Sequence, residues 1–539
     1  VRRRSRAALL LLGLALLAPS GAPAQAPGDR EGLRSGPRLK RDEEIHWRPW
    51  GAAAFDQAKR EGKLVLLDVT AVWCHWCHVM DETSYSDSVI IHTLNMEFVP
   101  VRVDADRNPQ VADRYLSGGW PTTAVLTPEG QVLATQTYVP PEELRQMLAE
   151  TRELYRKRRA DVDAKVAELG RAVANTWRSM PPDTSGSPAV EEQVSRTLDA
   201  LRRGEDRAHG GFGAAPKFHN PDAVALLFRE ARARRDPGLR AIAVRAMDGA
   251  MQLQDSVWGG YYRYATRDDW SAPHFEKLLS GNAEMLGSLI LAYRETGATK
   301  YRDSARRTRT YLDTWLHGRS ASDACWFGSQ DADVGSHDPT IPFTAGEDYY
   351  VLGDRLRRKV GIPRVDSTIY VDANAELVSA LAQGVRAEVF DDPGLPKRLR
   401  AALDRIWDVA LSPDGSLYHA ITRRGGMSPD LLRDQAWAGL ACLDLFEASG
   451  DTTLLARARG RRDWIRAHLE DRLGGGFRYG LPDSQAVGRT KAGERSEDGS
   501  ILAATLFLRL CWQDSDPGDR ASVDRTLAWL RSGRTVVLD

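Results

Sequence analysis

Trp73-Cys-His-Trp-Cys-His78 gathers more reactive side chains than any other short stretch of the chain. Two cysteines separated by two residues can carry out thiol–disulfide exchange if the first sits at a helix start. There the free backbone amides and the helix macrodipole stabilise a thiolate on Cys74. Cys74 would attack a disulfide sulfur, and Cys77, one turn on, would resolve the mixed disulfide. His75, when protonated, favours the thiolate further and makes the disulfide more oxidising; as a solvated loop residue it has no such effect, and both readings stand. Trp73, Trp76 and His78 are the remaining modulating neighbours. The same residues also spell a c-type haem attachment motif, Cys74-x-x-Cys77-His78, which calls for an axial-ligand pocket, usually in a small helical domain. A zinc site of Cys74, Cys77, His75 and His78 lacks a second pair at ribbon spacing. A purely structural disulfide here closes a very short loop. The expectation is therefore no metal and no cofactor beyond the redox-active disulfide.

The flanking residues supply elements that could position such a pair. Lys63-Leu-Val-Leu-Leu-Asp68 is an apolar run suited to a buried strand, so the cysteines follow a strand and open a helix. A short helix ends over Phe55 to Arg60, and Phe98-Val-Pro-Val-Arg-Val103 is a second strand. Thr122 to Leu126 and Gln131 to Thr135 read as a hairpin around Pro128-Glu-Gly130. Residues 141–178 read as helix, and Ser179 to Pro188 as a linker.

Beyond Pro188 helical periodicity recurs about twelve times. The expected spans include 221–235, 280–297, 346–357, 372–390, 430–449 and 496–512. Gly-Gly-aromatic loops recur between them, at Gly210-Gly-Phe212, Gly259-Gly-Tyr261 and Gly475-Gly-Phe477. Paired helices repeating every 50–60 residues or so suggest six helical hairpins closed into an (α/α)6 toroid, with an open solenoid as the competing architecture.

Lys+Arg and Asp+Glu both number 74, giving no net charge and no electrostatic support for a nucleic-acid partner. Five cysteines are too few for a disulfide scaffold at 539 residues. Cys442 and Cys511 fall on apolar helix faces and read as buried hydrophobes. Arg2, Arg3, Arg4 and Arg6 precede an apolar run from Ala7 to Pro19, and Ala22-Pro-Ala24 or Ala24-Gln-Ala26 offers small residues for cleavage. This reads as a signal peptide and predicts a secreted or periplasmic protein with no membrane span in the mature chain. The expected organisation is 1–26 signal peptide, 27–40 disordered lead-in, 41–150 α/β domain, 151–188 helical connector and linker, and 189–539 helical barrel.

Asp68-Val-Thr-Ala-Val-Trp-Cys74 resembles the thioredoxin signature, in which an Asp precedes the nucleophile by six residues. The resemblance implies that Asp68 faces the second cysteine and shuttles its proton. Gly119-Trp-Pro121-Thr122 resembles the segment carrying that fold's cis-proline, so Pro121 would shape the substrate groove. Cys74-His-Trp-Cys-His-Val-Met80, Gly210-Gly-Phe-Gly213 with Ala215-Pro-Lys-Phe218, and Pro273-His-Phe-Glu-Lys277 together resemble one family. It is the YyaL/DsbH-type, spermatogenesis-associated protein 20-like thioredoxin-plus-barrel family. The resemblance implies a multidomain chain, with an α/β thioredoxin-like domain followed by an all-α (α/α)6 toroid of the six-hairpin glycosidase type. The chain departs from the family pattern at Leu278-Leu-Ser-Gly281, Val371-Asp-Ala-Asn374 and Glu497-Asp-Gly-Ser500.

In such a toroid, inter-hairpin loops line a cleft, and Lys217, His274, Glu276, Lys277, Asp331, Asp333 and Asp434 fall on or near them. Facing carboxylates could serve a sugar as acid and base, and a His could serve an epimerase. Helix caps, mutual ion pairs and turn formers account for the same residues. Trp258, Trp270, Trp326 and Trp437 read as core or cleft wall. Two functions follow. One is an extracytoplasmic thiol–disulfide oxidoreductase whose partners are protein thiol or disulfide clients, with the barrel binding a client or small ligand. The other is a carbohydrate-active or carbohydrate-binding barrel with an accessory thioredoxin domain. The intact cysteine motif beside altered barrel segments favours the first.

Overall fold

The computed structural model describes residues 40–532, apart from 177–179, 183, 185–186, 188, 319–323, 339, 423–424, 428–429, 484–485 and 492. The expected signal peptide, the lead-in up to residue 39 and part of the linker lie outside the described residues. The chain divides into two units, one of residues 1–175 with 336–345 and 483–492, the other of 176–335, 346–482 and 493–539.

In the first unit, helix α1 (Ala52–Glu61) leads through a left-handed Gly62 into strand β1 (Leu64–Thr70). Helix α2 (His75–Glu82), helix α3 (Ser88–Glu97) and strand β2 (Phe98–Asp104) follow. Helix α4 (Pro109–Tyr115), strands β3 (Thr122–Leu126) and β4 (Val132–Gln136), and helices α5 (Pro141–Lys157) and α6 (Arg159–Thr176) complete it. The expected single helix over 141–178 breaks at Arg158. The strand order is β2-β1-β3-β4, with β1 and β2 parallel and the other pairs antiparallel.

Both faces of β1 are buried, as its unbroken apolar run requires. Val65, Leu67 and Val69 pack with Phe55 and Ala58 of α1 and Val111 and Tyr115 of α4. Leu64 and Leu66 pack on the other side with Ile90 and Leu94 of α3 and Leu144 and Leu148 of α5. Each fully buried aliphatic side chain contributes roughly 1.5–3 kcal/mol. Side chains alternate along a strand, so Asp68 falls on the side of Leu64 and Leu66. The parallel register sets Arg102 beside it.

The second unit is helical. Helices α7 (Val190–Gly204), α8 (Pro221–Arg234), α9 (Pro237–Ala250), α10 (Leu279–Thr296) and α11 (Thr299–Tyr311) come first. After the short α12 (Gly346–Tyr349) and α13 (Asp354–Val360) come α14 (Val371–Arg386), α15 (Leu395–Ala410), α16 (Leu432–Ser449), α17 (Thr452–His468), α18 (Glu497–Asp514) and α19 (Pro517–Arg531). The expected helix over 346–357 is thus two short pieces, interrupted over Tyr350 to Gly353. Two helices start on an Asp with Pro at the first helical position. Asp236 accepts the amides of Gly238 and Leu239 before Pro237 opens α9, and Asp516 accepts that of Gly518 for α19.

Helices α8, α10, α14, α16 and α18 pack in succession as the inner layer of an (α/α)6-type barrel. Helices α9, α11, α15, α17 and α19 back them as the outer layer. Among the described residues no helix is long and apolar enough to cross a membrane. Of the remaining cysteines, Cys325 and Cys442 are buried, whereas Cys511 is only partly so.

The Gly-Gly loops share one construction. In each, an Asp amide donates to the carbonyl of the second Gly while the first Gly amide donates to the Asp carbonyl, at Asp206/Gly210/Gly211, Asp255/Gly259/Gly260 and Asp471/Gly475/Gly476. All these glycines have φ between +71° and +81°, a region that side chains disfavour. A polar residue in the first turn of an inner helix pairs with the backbone of the connection before it, directly after a Gly-Gly loop in the case of Asn282 and Ser500. Asn282 accepts the Tyr261 amide at 2.7 Å and donates to its carbonyl at 3.2 Å. Asn374 does the same for Trp326 at 2.8 and 2.9 Å, and Gln435 for Leu417 at 3.0 and 2.8 Å. Ser500 accepts from the Phe477 amide at 2.9 Å. Replacing Asn374 by Ala leaves the buried Trp326 amide and carbonyl without this partner, at about 1–3 kcal/mol for each group. Denaturant unfolding is expected to show a correspondingly lower midpoint for the helical unit; an unchanged midpoint would remove the clamp from the account of its stability.

Candidate functional site

Cys74 is the N-cap of α2, and its Sγ accepts the Cys77 amide at 3.1 Å. The two sulfurs form a disulfide with Cα atoms 5.2 Å apart. Both cysteines are only 3% exposed, and Pro121 is buried too. The turn before α2 is held from several sides. Asp104 accepts the Val72 amide at 3.2 Å, and Asp106 accepts the Trp73 indole at 2.6 Å. Trp73 also lies edge-on to Trp120, with centroids 5.6 Å apart, and the Trp120–Pro121 peptide is cis. His75 and Trp76 are half-buried, Trp76 packing on Tyr138. His78 is buried, and its Nε2 donates to the Val72 carbonyl at 3.1 Å.

Asp68 is 1% exposed and so is held away from water. Arg102 donates to Asp68 at 2.7 Å, to Asp42 at 2.9 Å and to Asp81 of α2 at 2.6 Å. Its guanidinium lies 4.2 Å from the Trp47 ring centroid. One cation thus serves three carboxylates. Burial pushes Asp68 up to about 6 against the pull of Arg102, and the charge of Asp81 adds to the rise. A carboxyl poised there can exchange a proton near neutral pH.

The helical-unit candidates divide by what they touch. Lys217 and Lys277 are fully buried and do not line an open cleft. Lys217 donates to Asp206 at 2.7 Å and to the Gly213 carbonyl at 2.8 Å. Lys277 donates to Asp255 at 2.6 Å and to the Gly259 carbonyl at 3.2 Å, beneath the rings of Tyr311, Tyr350 and Tyr262. Burial pushes Lys277 down to about 8. Both lysines tie down Gly-Gly loops, and Arg495 does so for Asp471 and the Gly474 and Gly475 carbonyls. Asp331 and Asp333 order their own turn, Asp331 accepting the Asp333 amide and Asp333 the Gly346 amide. His274 stacks on Tyr264 at 4.4 Å and approaches the buried Glu276 at 3.5 Å. Burial works to raise Glu276, but His274 and Arg263 together hold it below the usual range. Asp434 is buried on α16 and accepts from His419 Nδ1 at 3.0 Å; burial pushes it up to about 6.

Three contributions escaped the sequence reading. His337, from the returning segment 336–345, donates to the Val72 carbonyl at 2.9 Å and packs edge-on to His78, centroids 4.6 Å apart. No local motif marks it, because it lies 265 residues from Val72. Arg102 carried a signal in the strand pattern, being the charged residue of an apolar run. Glu284, Glu376 and Arg433 sit on inner helices among apolar residues and were hidden by the emphasis on loops.

Residues 37–174 match the family described as Thioredox_DsbH, a protein of unknown function (DUF255). Human spermatogenesis-associated protein 20 is 30% identical over 312 residues, covering 54% of this chain and 39% of that protein. The uncharacterized protein B0495.5 of Caenorhabditis elegans is 25% identical over 468 residues, covering 79% of this chain and 63% of that protein. The chain thus spans about two-fifths of the length of the human relative. Among solved structures, cellobiose 2-epimerase from Bacillus thermoamylovorans is similar at a TM-score of 0.49 and 12% identity, over 63% of this chain and 86% of that one. D-mannose isomerase is similar at 0.46 and 14%, over 64% and 87%.

The raised Asp68 pKa has a signed consequence for stability. The folded state holds this proton more tightly than the unfolded chain, so stability falls as pH rises from about 4 to about 6, and the full penalty, about 3 kcal/mol, persists above that. Asp68→Asn, which leaves Arg102 paired with Asp42 and Asp81, is expected to be more stable than the parent at pH 8, with the advantage shrinking toward pH 4. Thermal unfolding across that range checks it; a pH-independent difference would mean that Asp68 keeps an ordinary pKa.

Proposed function

We propose, for a chain whose residues 37–174 match the Thioredox_DsbH family and which is homologous to spermatogenesis-associated protein 20, a thiol–disulfide oxidoreductase function centred on Cys74 and Cys77. The observation that carries this reading is the placement of Cys74. Its sulfur caps helix α2 and accepts the Cys77 amide, the arrangement that stabilises a thiolate once the disulfide is reduced.

In the reduced enzyme, the Cys74 thiolate attacks one sulfur of a client disulfide. A new S–S bond forms to Cys74, and the other client sulfur leaves as a thiolate. Cys77 then gives up its proton, attacks the Cys74 sulfur and releases the second client thiolate, restoring the enzyme disulfide. Asp68 lies on the sheet face that packs against α2 and has an elevated pKa, so it is suited to take that proton. Pro121 shapes the groove beside the pair. The low exposure of both sulfurs requires local opening before a protein client can reach them. The reading includes export through the basic and apolar N-terminus, into a compartment where disulfides persist.

Cys74 is expected to alkylate faster than Cys77 in the reduced protein, Cys77→Ser to accumulate mixed disulfides through Cys74, and Cys74→Ser to lose insulin reduction. Equal alkylation rates would reject the assigned roles, and undiminished insulin reduction by Cys74→Ser would reject the activity. Protein from its native host is expected to begin near Gln25 or Pro27; N-terminal sequencing that finds residues 1–20 intact in a cytosolic fraction would overturn the export assignment.

A further inference from the structure

The Val72 carbonyl joins a distant stretch of sequence to the turn that carries the cysteines. His78 donates to it from α2 at 3.1 Å, and His337 donates to it at 2.9 Å. A carbonyl oxygen has lone pairs and no proton, so each imidazole must carry a proton on Nε2. The two rings meet edge-on, with centroids 4.6 Å apart. Val72 leads through Trp73 into Cys74, whose sulfur caps α2. Residues 336–345 belong to the same compact unit as residues 1–175.

The two donors differ in what they tie the turn to. His78 belongs to α2, so its bond joins the turn to its own helix. His337 comes from outside that helix, on a segment with bonds of its own. The Ser336 carbonyl accepts from Lys40 Nζ at 2.8 Å. Asp338 accepts the Thr340 amide at 2.9 Å and the Thr340 hydroxyl at 2.6 Å, and its carbonyl accepts the Ile341 amide at 3.0 Å. His337 is exposed, whereas His78 and both cysteines are buried. Replacing an exposed ring empties no core, so the effect of His337 falls on the turn it bonds to.

That turn decides how the helix end meets the Cys74 sulfur. The Ala71 carbonyl accepts the Cys74 amide at 3.1 Å, Asp104 accepts the Val72 amide, and Asp106 accepts the Trp73 indole. Thiolate stabilisation depends on the free amides of α2 staying aimed at the sulfur, as the Cys77 amide is. Without His337 the Val72 carbonyl keeps the His78 donor, but the turn loses its tie to residues 336–345. Part of the negative end of that carbonyl is also uncovered. Both changes disfavour negative charge on Cys74. His75, His78, Asp104 and Asp106 are the other titratable groups on this turn and remain when His337 is replaced, so a change at Cys74 traces to the lost donor.

We propose that His337 is a positioning residue for thiol–disulfide exchange, holding the Val72 carbonyl so that the turn presents Cys74 to the amides of α2. The proposal rests on the redox reading of Cys74 and Cys77, although the measurement that tests it needs no client. The experiment follows iodoacetamide alkylation of Cys74 in the reduced full chain, across the pH range in which its thiol titrates. His337→Phe keeps a ring against His78 and removes the donor. His337→Gln restores an Nε2 donor at the same number of bonds from the backbone. The Phe variant is expected to raise the pH midpoint of Cys74 alkylation by about half a pH unit, slowing the reaction about threefold below it, the effect of one ordinary hydrogen bond. The Gln variant should recover most of the parent rate, and both should unfold in denaturant at the parent midpoint. An unshifted or lowered alkylation midpoint in the Phe variant, or equal shifts in both variants, would overturn the proposal. A raised midpoint in a protein that reduces no insulin supports the role of His337 and counts only against the proposed activity.

Discussion

Backbone groups that cannot reach water must be paired, and the helical unit depends on side chains to do it. Its inner helices enter from Gly-rich loops whose amides and carbonyls belong neither to a helix nor to an extended sheet. Lys217, Lys277 and Arg495 lie beneath these loops, each held by the Asp that begins its loop. Asn282 and Ser500 then join two of these loops to the following inner helix, and Asn374 and Gln435 do the same for the backbone at Trp326 and Leu417. A charged lysine would be costly to bury alone, and the carbonyls and carboxylate around it supply the compensation. This explains why Pro273-His-Phe-Glu-Lys277 stands out in the sequence although its lysine touches no open cleft. It also gives a structural meaning to the departures at 371–374 and 497–500, where Asn374 and Ser500 supply a buried partner.

The same requirement has a different outcome in the first unit. Arg102 is shared among Asp42, Asp68 and Asp81, so no carboxylate there has a cation to itself. Complete pairing, as at Asp206 and Lys217, leaves a group with a structural role. Divided pairing in a dry setting leaves Asp68 with its proton affinity near the working pH, where it can take part in chemistry. The paired faces of Glu284 and Glu376 in the helical unit follow this second pattern, with Arg433 as the shared cation.

The sequence made the first unit readable because its signals are local. Leu64 to Asp68 is a buried parallel strand in both pattern and fact, the hairpin at Pro128-Glu-Gly130 is a turn signal, and Cys74 follows the strand directly. The helical unit was readable in periodicity, since each long span carries its own apolar stripe. It was less readable where the stripe is short, as at 346–357, where the break over Tyr350 to Gly353 divides the expected helix. The site was legible only in part. His337 reaches the turn before α2 through chain return, which leaves no local mark, whereas Arg102 is marked only as the charged residue of an apolar strand and its partners follow from strand register and packing. Glu376 falls within the expected helical span 372–390, and no motif marks it. Only the packing of α10, α14 and α16 shows that its face is enclosed.

Position, more than residue type, separates the cysteines of this chain. Cys442 lies mid-helix in the core, where no free amide reaches it, and burial pushes its thiol up to about 12. Cys325 is fully buried, with the Ala402 carbonyl 3.5 Å from its sulfur. The Cys442 thiol stays protonated at ordinary pH. Cys74 is nearly as buried, yet it occupies the one place where burial and thiolate stabilisation coexist, the open end of a helix with an amide donated to its sulfur. The turn that carries it is secured at Val72 and Trp73 by Asp104, Asp106 and two imidazoles on one carbonyl. A rigid mount of this kind holds Cys77 within bonding distance of Cys74, with their Cα atoms 5.2 Å apart.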